Sequence, residues 1–237
     1  GFYHAGQAVG SDIKFCDLDT YVTGHEGSKN AVLIITDVHG YKFNNTRVLA
    51  DKYAKGSSTR VFIPDFLAGD FAPSDPAEKQ HWDVQKFKIN HPIREEKTFQ
   101  VIETIAKEIK KTYSKLAVIG FCWGAPATLY LGKIEVADCI ATAHPTETTI
   151  EDYETVMKPL LLLCAEVDKL FPKEMREQAE EALFKAASRG VWSKINIYPG
   201  TVHGFALRGD EKDTFTSASM DDARVSAVSF FTRFLGP

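Results

Sequence analysis

The sequence predicts an α/β protein built on a mostly parallel, doubly wound sheet flanked by helices. Three observations carry that prediction. Short, almost wholly apolar runs recur from about residue 30 to the C-terminus, as strands covered on both faces require. Helical patterns separate them, and that alternation is what builds a parallel sheet. One run, from Lys115 onward, ends on Gly120-Phe121-Cys122-Trp123-Gly124, which reads as a strand turning sharply into a helix with a cysteine at its tip.

The elements follow in order. Residues 13–23 alternate polar and apolar side chains, as an N-terminal edge strand would. Residues 31–36 (Ala-Val-Leu-Ile-Ile-Thr) form the first buried strand, leading into Asp37-Val38-His39-Gly40 and a helix over 47–53. Residues 60–64 are the next strand, and 97–113 an amphipathic helix before the cysteine-tipped strand. Strands at 138–143 and 159–165, a helix over 173–188, a strand at 194–198 and a closing helix over 223–234 complete the pattern. No repeat, low-complexity tract or Gly/Ser linker interrupts it, so residues 1–237 are expected to form one domain. Residues 68–91 break the rhythm with Gly69, Pro73, Pro76, Trp82 and many charges. A stretch of that kind either caps a site or is a solvated loop.

Composition narrows the function classes. Hydrophobic content of 44% and charged content of 25% are those of a globular protein able to bury a full core. A net charge of −4 supplies no attraction for nucleic acid or acidic lipid. No apolar run is long enough to span a bilayer, and the first residues lack the basic-then-apolar order of a signal peptide. Cys16, Cys122, Cys139 and Cys164 show no disulfide or zinc spacing, which fits reduced thiols and a cytoplasmic location. His39 and Asp37 lack a third ligand at a recognised spacing, so no metal and no cofactor is expected. The expected partner is a small molecule, with the chain a monomer or homodimer.

The spacing Gly120-x-Cys122-x-Gly124 is that of the nucleophile elbow of the α/β-hydrolase fold. Glycines are needed there because the turn leaves no room for flanking Cβ atoms. The strained turn exposes the nucleophile, and the next backbone N–H, that of Trp123, points at the place where an oxyanion would form. Alone the pattern is weak, since a cysteine after a Val-Ile run is commonly a buried apolar residue. A nucleophile also needs a base, and the base a partner that fixes its tautomer. Asp168 follows the 159–165 strand and His203 the 194–198 strand, giving the order nucleophile, acid, histidine. Each has a bland alternative: Asp168 as a cap for the 173–188 helix with Glu166 competing for its role, His203 as a turn residue bonded to a carbonyl. The joint pattern places all three on one rim of one sheet.

With those residues in view, the chain resembles the dienelactone hydrolase (carboxymethylenebutenolidase) family from about residue 30 to its C-terminus. That family carries Gly-x-Cys-x-Gly, an aspartate and a His-Gly-Phe histidine, matched by Cys122, Asp168 and His203-Gly204-Phe205. The ending His203-Gly-Phe-Ala-Leu-Arg208-Gly-Asp210 is similar to a eukaryotic, fungal-like branch. The resemblance implies an ester or lactone hydrolase with a cysteine nucleophile. It places the second oxyanion N–H on Val38, and puts Asp37 where the family has a glutamate that contacts the resting thiol. Bacterial members hold a substrate carboxylate with arginines, one of them four residues after the histidine; Arg208 comes five after it. Tyr41, Trp82, His144 and Arg208 are the expected substrate contacts, although a histidine capping a strand end also accounts for His144. Two other readings stand beside hydrolysis: a small-molecule binding or sensing protein on the same scaffold, and a redox-active Cys122 thiol.

Overall fold

The computed structural model describes residues 1–237. One eight-stranded sheet runs through it in the order β1-β2-β4-β3-β5-β6-β7-β8. The strands are β1 (Ser11–Phe15), β2 (Leu18–Thr23), β3 (Ala31–Ile35), β4 (Arg60–Pro64), β5 (Leu116–Phe121), β6 (Cys139–Ala143), β7 (Leu160–Val167) and β8 (Ser193–Val202). Strands β3 to β8 are mutually parallel, whereas β1 and β2 form an antiparallel hairpin laid against β4.

Residues 13–23 are therefore two strands and not the single edge strand expected. Cys16 (φ +48°) and Asp17 (φ +65°) both take left-handed backbone, the geometry of a two-residue hairpin turn. Neither residue is the glycine or asparagine that usually marks such a turn.

Period-two alternation sorts the buried strands onto two helix layers. Val32 and Ile34 of β3 pack with α1 (Asn44–Ser57) and α9 (Thr214–Leu235). Leu33 and Ile35 face the other layer, with α4 (Glu96–Thr112), α5 (Ala125–Lys133), α6 (Ile150–Glu154) and α7 (Lys173–Ala187). Helix α4 shows how a sequence pattern becomes packing: Ile102, Ile105, Ala106 and Ile109 make one buried stripe at 3.6-residue spacing. Its opposite face carries the lysine and glutamate pair Lys107–Glu103.

Three elements differ from expectation. Helix α9 begins nine residues before position 223, capped by Asp213, whose carboxylate accepts from the Thr216 N–H. Residues 68–91 contain α2 (Pro76–Lys79) and α3 (Val84–Asn90), started by Asp75 and Asp83 as side-chain caps. Strand β8 runs on to Val202 through an irregularity opposite Ala165 and Val167, leaving His203 at its end. Helix α8 (Phe205–Arg208) completes the set.

Candidate active site

Because β3 to β8 are parallel, the residues after β3, β5, β6, β7 and β8 meet at one end of the sheet. Strand β5 passes into a short 3-10 turn, Cys122–Gly124, and then α5. Cys122 sits at φ +50°, a strained conformation for a side-chain-bearing residue. A Cβ on Gly120 would strike Thr128 and the Gly124 carbonyl, and one on Gly124 would strike the Ile35 carbonyl. The two glycines thus let the elbow close against the end of β3, which brings Val38 and Trp123 around the same cavity as Cys122.

The imidazole of His203 lies between two partners. Its Nδ1 is 2.8 Å from Asp168 Oδ2 and its Nε2 is 3.0 Å from Cys122 Sγ. Asp168 is itself fixed, since its Oδ1 accepts from the backbone N–H groups of Leu170 and Phe171. It does not cap α7, whose N-cap is Pro172. Glu166 is directed elsewhere and accepts from the Gly200 N–H. Burial opposes charge on His203, but the hydrogen bonds to Asp168 and Cys122 outweigh it and raise the imidazole to about 9. A histidine so placed holds a proton strongly while touching the thiol.

Asp37 is wholly buried and makes no hydrogen bond to Cys122. Its Oδ1 accepts from the His39 N–H, and its Oδ2 accepts from Arg208 Nε at 2.9 Å. Arg208 reaches it because Gly204 (φ +87°) starts the single turn of α8 directly after His203. A Cβ at Gly204 would collide with the Arg208 guanidinium.

The cavity beside Cys122 measures about 440 Å³. Val38, Trp82, Trp123, His203 and Arg208 line it, together with Val84, Phe87 and Leu170, which sequence reasoning missed. The signal for Val84 and Phe87 was available: two apolar residues three apart behind an aspartate cap, within a stretch rich in charge. Two expected contacts are corrected. Tyr41 is buried in the core, its ring edge-on to Phe71 and under the Arg47 guanidinium, because those partners cover it more completely than the cavity could. His144 lies beneath His203, fully buried, with ring centroids 5.2 Å apart and neither ring nitrogen hydrogen-bonded. Burial first, then the charges of His203 and Arg208, push its imidazole well below the ordinary histidine range. His39, with its Nδ1 on the Ala72 carbonyl, also lines the cavity.

The sheet order, the helix layers and this elbow define an α/β-hydrolase fold. The chain belongs to the dienelactone hydrolase family, whose model matches residues 18–235. It is similar to hydrolase tropI of Talaromyces stipitatus, at 30% identity over 99% of this chain and 94% of that protein. It is also similar to the human carboxymethylenebutenolidase homolog, at 25% identity over 96% of this chain and 92% of that protein. Among solved structures, a dienelactone hydrolase-like promiscuous phosphotriesterase, P91, from metagenomic libraries superposes with a TM-score of 0.69 at 14% identity, covering 95% of this chain and 98% of its own. Family membership supports a hydrolase of esters or lactones. No helix is long and apolar enough to cross a membrane.

Proposed function

We propose that the chain hydrolyses small activated esters or lactones through a Cys122–His203–Asp168 triad and an acyl-thioester intermediate. The observation that carries the reading is the continuous hydrogen-bonded series from Asp168 through both ring nitrogens of His203 to Cys122 Sγ.

In the acylation half, His203 Nε2 takes the thiol proton and Sγ attacks the carbonyl carbon. The oxyanion forms between the backbone N–H groups of Trp123 and Val38, and each such donor contributes about 3 kcal/mol. The Val38 carbonyl, in the next peptide along, accepts from the Ala72 N–H and anchors the segment after β3. Collapse breaks the bond to the leaving oxygen, which receives the proton from His203. In the second half a water loses its proton to His203 and attacks the thioester carbonyl; collapse breaks the C–S bond, releases the acid, and leaves the Cys122 thiolate to take the proton back from His203.

Thiolate leaves more readily than alkoxide, so a tetrahedral species with a poor leaving group collapses back to substrate. Enol esters, thioesters and activated lactones are therefore favoured over amides. The catalytic residues need no cofactor, and we take the chain to act on small molecules in the cytoplasm as a monomer or homodimer.

The test is intact-protein mass spectrometry after brief mixing with p-nitrophenyl acetate and with a dienelactone. A transient acetyl adduct that turns over, absent in Cys122→Ala, is the expected result. No adduct and no product from either compound would replace hydrolysis with small-molecule binding, a reading to which the Asp37–Arg208 pairing lends itself.

A further inference from the structure

The cavity beside Cys122 has two unlike sides. Toward α8 it is polar, with His39, Lys79 and Arg208. Toward α3 it carries a row of rings, flanked by Lys88 and its ion-pair partner Glu147. Trp82 and Phe87 lie 5.3 Å apart at 54°, Phe87 and His91 lie 4.9 Å apart at 41°, and the His91 carbonyl accepts from the Trp123 indole N–H at 3.0 Å. The elbow is thereby joined to α3 through contiguous aromatic groups.

Contacts within the protein hold this wall in place. Asp83 caps α3 through the Gln85 and Lys86 N–H groups, His91 Nε2 is 2.8 Å from Asp70, and Phe87 is almost fully buried. Yet two large apolar residues on the same cavity stay open to solvent, Val84 at 42% and Leu170 at 49%. A preformed apolar surface left wet beside a reactive group gains free energy when a ligand covers it. An acetyl group is too small to cover a cavity of about 440 Å³ that also contains Trp82 and Phe87.

We infer that the site selects esters and thioesters carrying an aromatic ring, which lies against Trp82, itself backed by Phe87. The inference rests on the hydrolase reading above and names its substrate class. A saturated ring of the same carbon number would gain the same area burial but not the ring–ring electrostatic term. That term corresponds to a preference of about 2–10-fold.

Two matched series test it: vinyl benzoate against vinyl cyclohexanecarboxylate, and S-benzyl against S-(cyclohexylmethyl) thioacetate, each kcat/KM divided by the hydroxide-catalysed rate. The aromatic member is expected to be preferred about 2–10-fold in at least one series. Trp82→Leu should bring that ratio close to one, and Trp82→Phe should keep most of it. If Trp82→Leu does not fold, wild type alone supplies a second measurement: benzamide should inhibit vinyl acetate turnover more strongly than cyclohexanecarboxamide. Ratios at or below one in both series, a ratio untouched by Trp82→Leu, or equal inhibition by the two amides would overturn the proposal. Absence of vinyl acetate turnover in wild type would instead overturn the hydrolase reading, and direct binding of the two amides would still decide the ring preference.

Discussion

Arg208 Nε donates to Asp37 Oδ2 at 2.9 Å, across 171 residues of sequence, with the Asp37 side chain wholly buried and Arg208 nearly so. The carboxylate after β3 is thus committed to a cation on α8, and the thiol is left to His203. Asp37 is one methylene shorter than the glutamate that the family resemblance places there, and its second oxygen is held by the His39 N–H. The pair also fixes the wall of the cavity next to His203, because α8 begins immediately after that histidine.

Removing one partner of this pair should cost more than removing both. Asp37→Ala leaves Arg208 with an uncompensated charge at a largely buried position and is expected to lower unfolding free energy by about 3 kcal/mol. The Asp37→Ala, Arg208→Met double variant should recover much of that loss. Urea unfolding of the four proteins in the cycle measures it, and a double variant less stable than Asp37→Ala would contradict the account.

The stabilisation contributed by His203 should fade with rising pH. Its folded-state value of about 9 lies above the 6.5 of a free histidine, so the folded state binds its proton more tightly. The contribution is complete below about 6.5, on the order of 3 kcal/mol, and is lost as pH rises through about 9. Comparing wild type with His203→Gln by urea unfolding from pH 6 to pH 10 should show the gap narrowing toward alkaline pH. A gap constant with pH would show that the imidazole is not held as described.

Asp168→Asn should be severe for turnover and mild for folding. An amide N–H facing His203 Nδ1 would force the tautomer that carries its proton on Nε2, toward the thiol. The base would then be unable to accept, and kcat for an activated ester is expected to fall about 10⁴-fold. Single-turnover acylation of Cys122 reads this step directly, and acylation at the wild-type rate would remove Asp168 from the mechanism.

His144→Phe should raise stability. The buried imidazole leaves both nitrogens without partners, at a cost of about 1–3 kcal/mol, while Phe121 and Phe205 flank it at 6.0 and 5.9 Å. An apolar ring in that setting removes the unpaired groups. A lowered urea midpoint would mean that the nitrogens are satisfied in solution.

Gly124→Ala should disable the elbow. Its new Cβ would meet the Ile35 carbonyl, and moving either strand end displaces Cys122 from His203. A stability loss of about 1–3 kcal/mol is expected from the overpacking, together with loss of the acyl adduct. Normal adduct formation would show that the turn tolerates the methyl group.

Much of the fold was legible in the sequence because the relevant forces are local. The apolar runs that became β3 to β7 are buried on both faces over most of their length, so length and composition alone mark them. The stripe of α4 is set by helical periodicity, and the Gly120 and Gly124 requirement by sterics within one turn. Once those strands are parallel, topology forces Cys122, Asp168 and His203 to one rim, so their order in the chain was enough to bring them together.

Tertiary structure decided the rest, because side-chain direction depends on what distant segments offer. Cys16 and Asp17 form the turn of a hairpin whose second strand, β2, pairs with the distant β4. Tyr41 goes into the core for Phe71 and Arg47, His144 goes beneath His203, and Asp37 turns to Arg208. Trp82 and Phe87 become a cavity wall because α3 and the turn before it are anchored to the elbow through His91 and Trp123. Periodicity and sterics along the chain specify which elements form, whereas the partner a buried charge or ring adopts is fixed by packing between segments that the sequence keeps far apart.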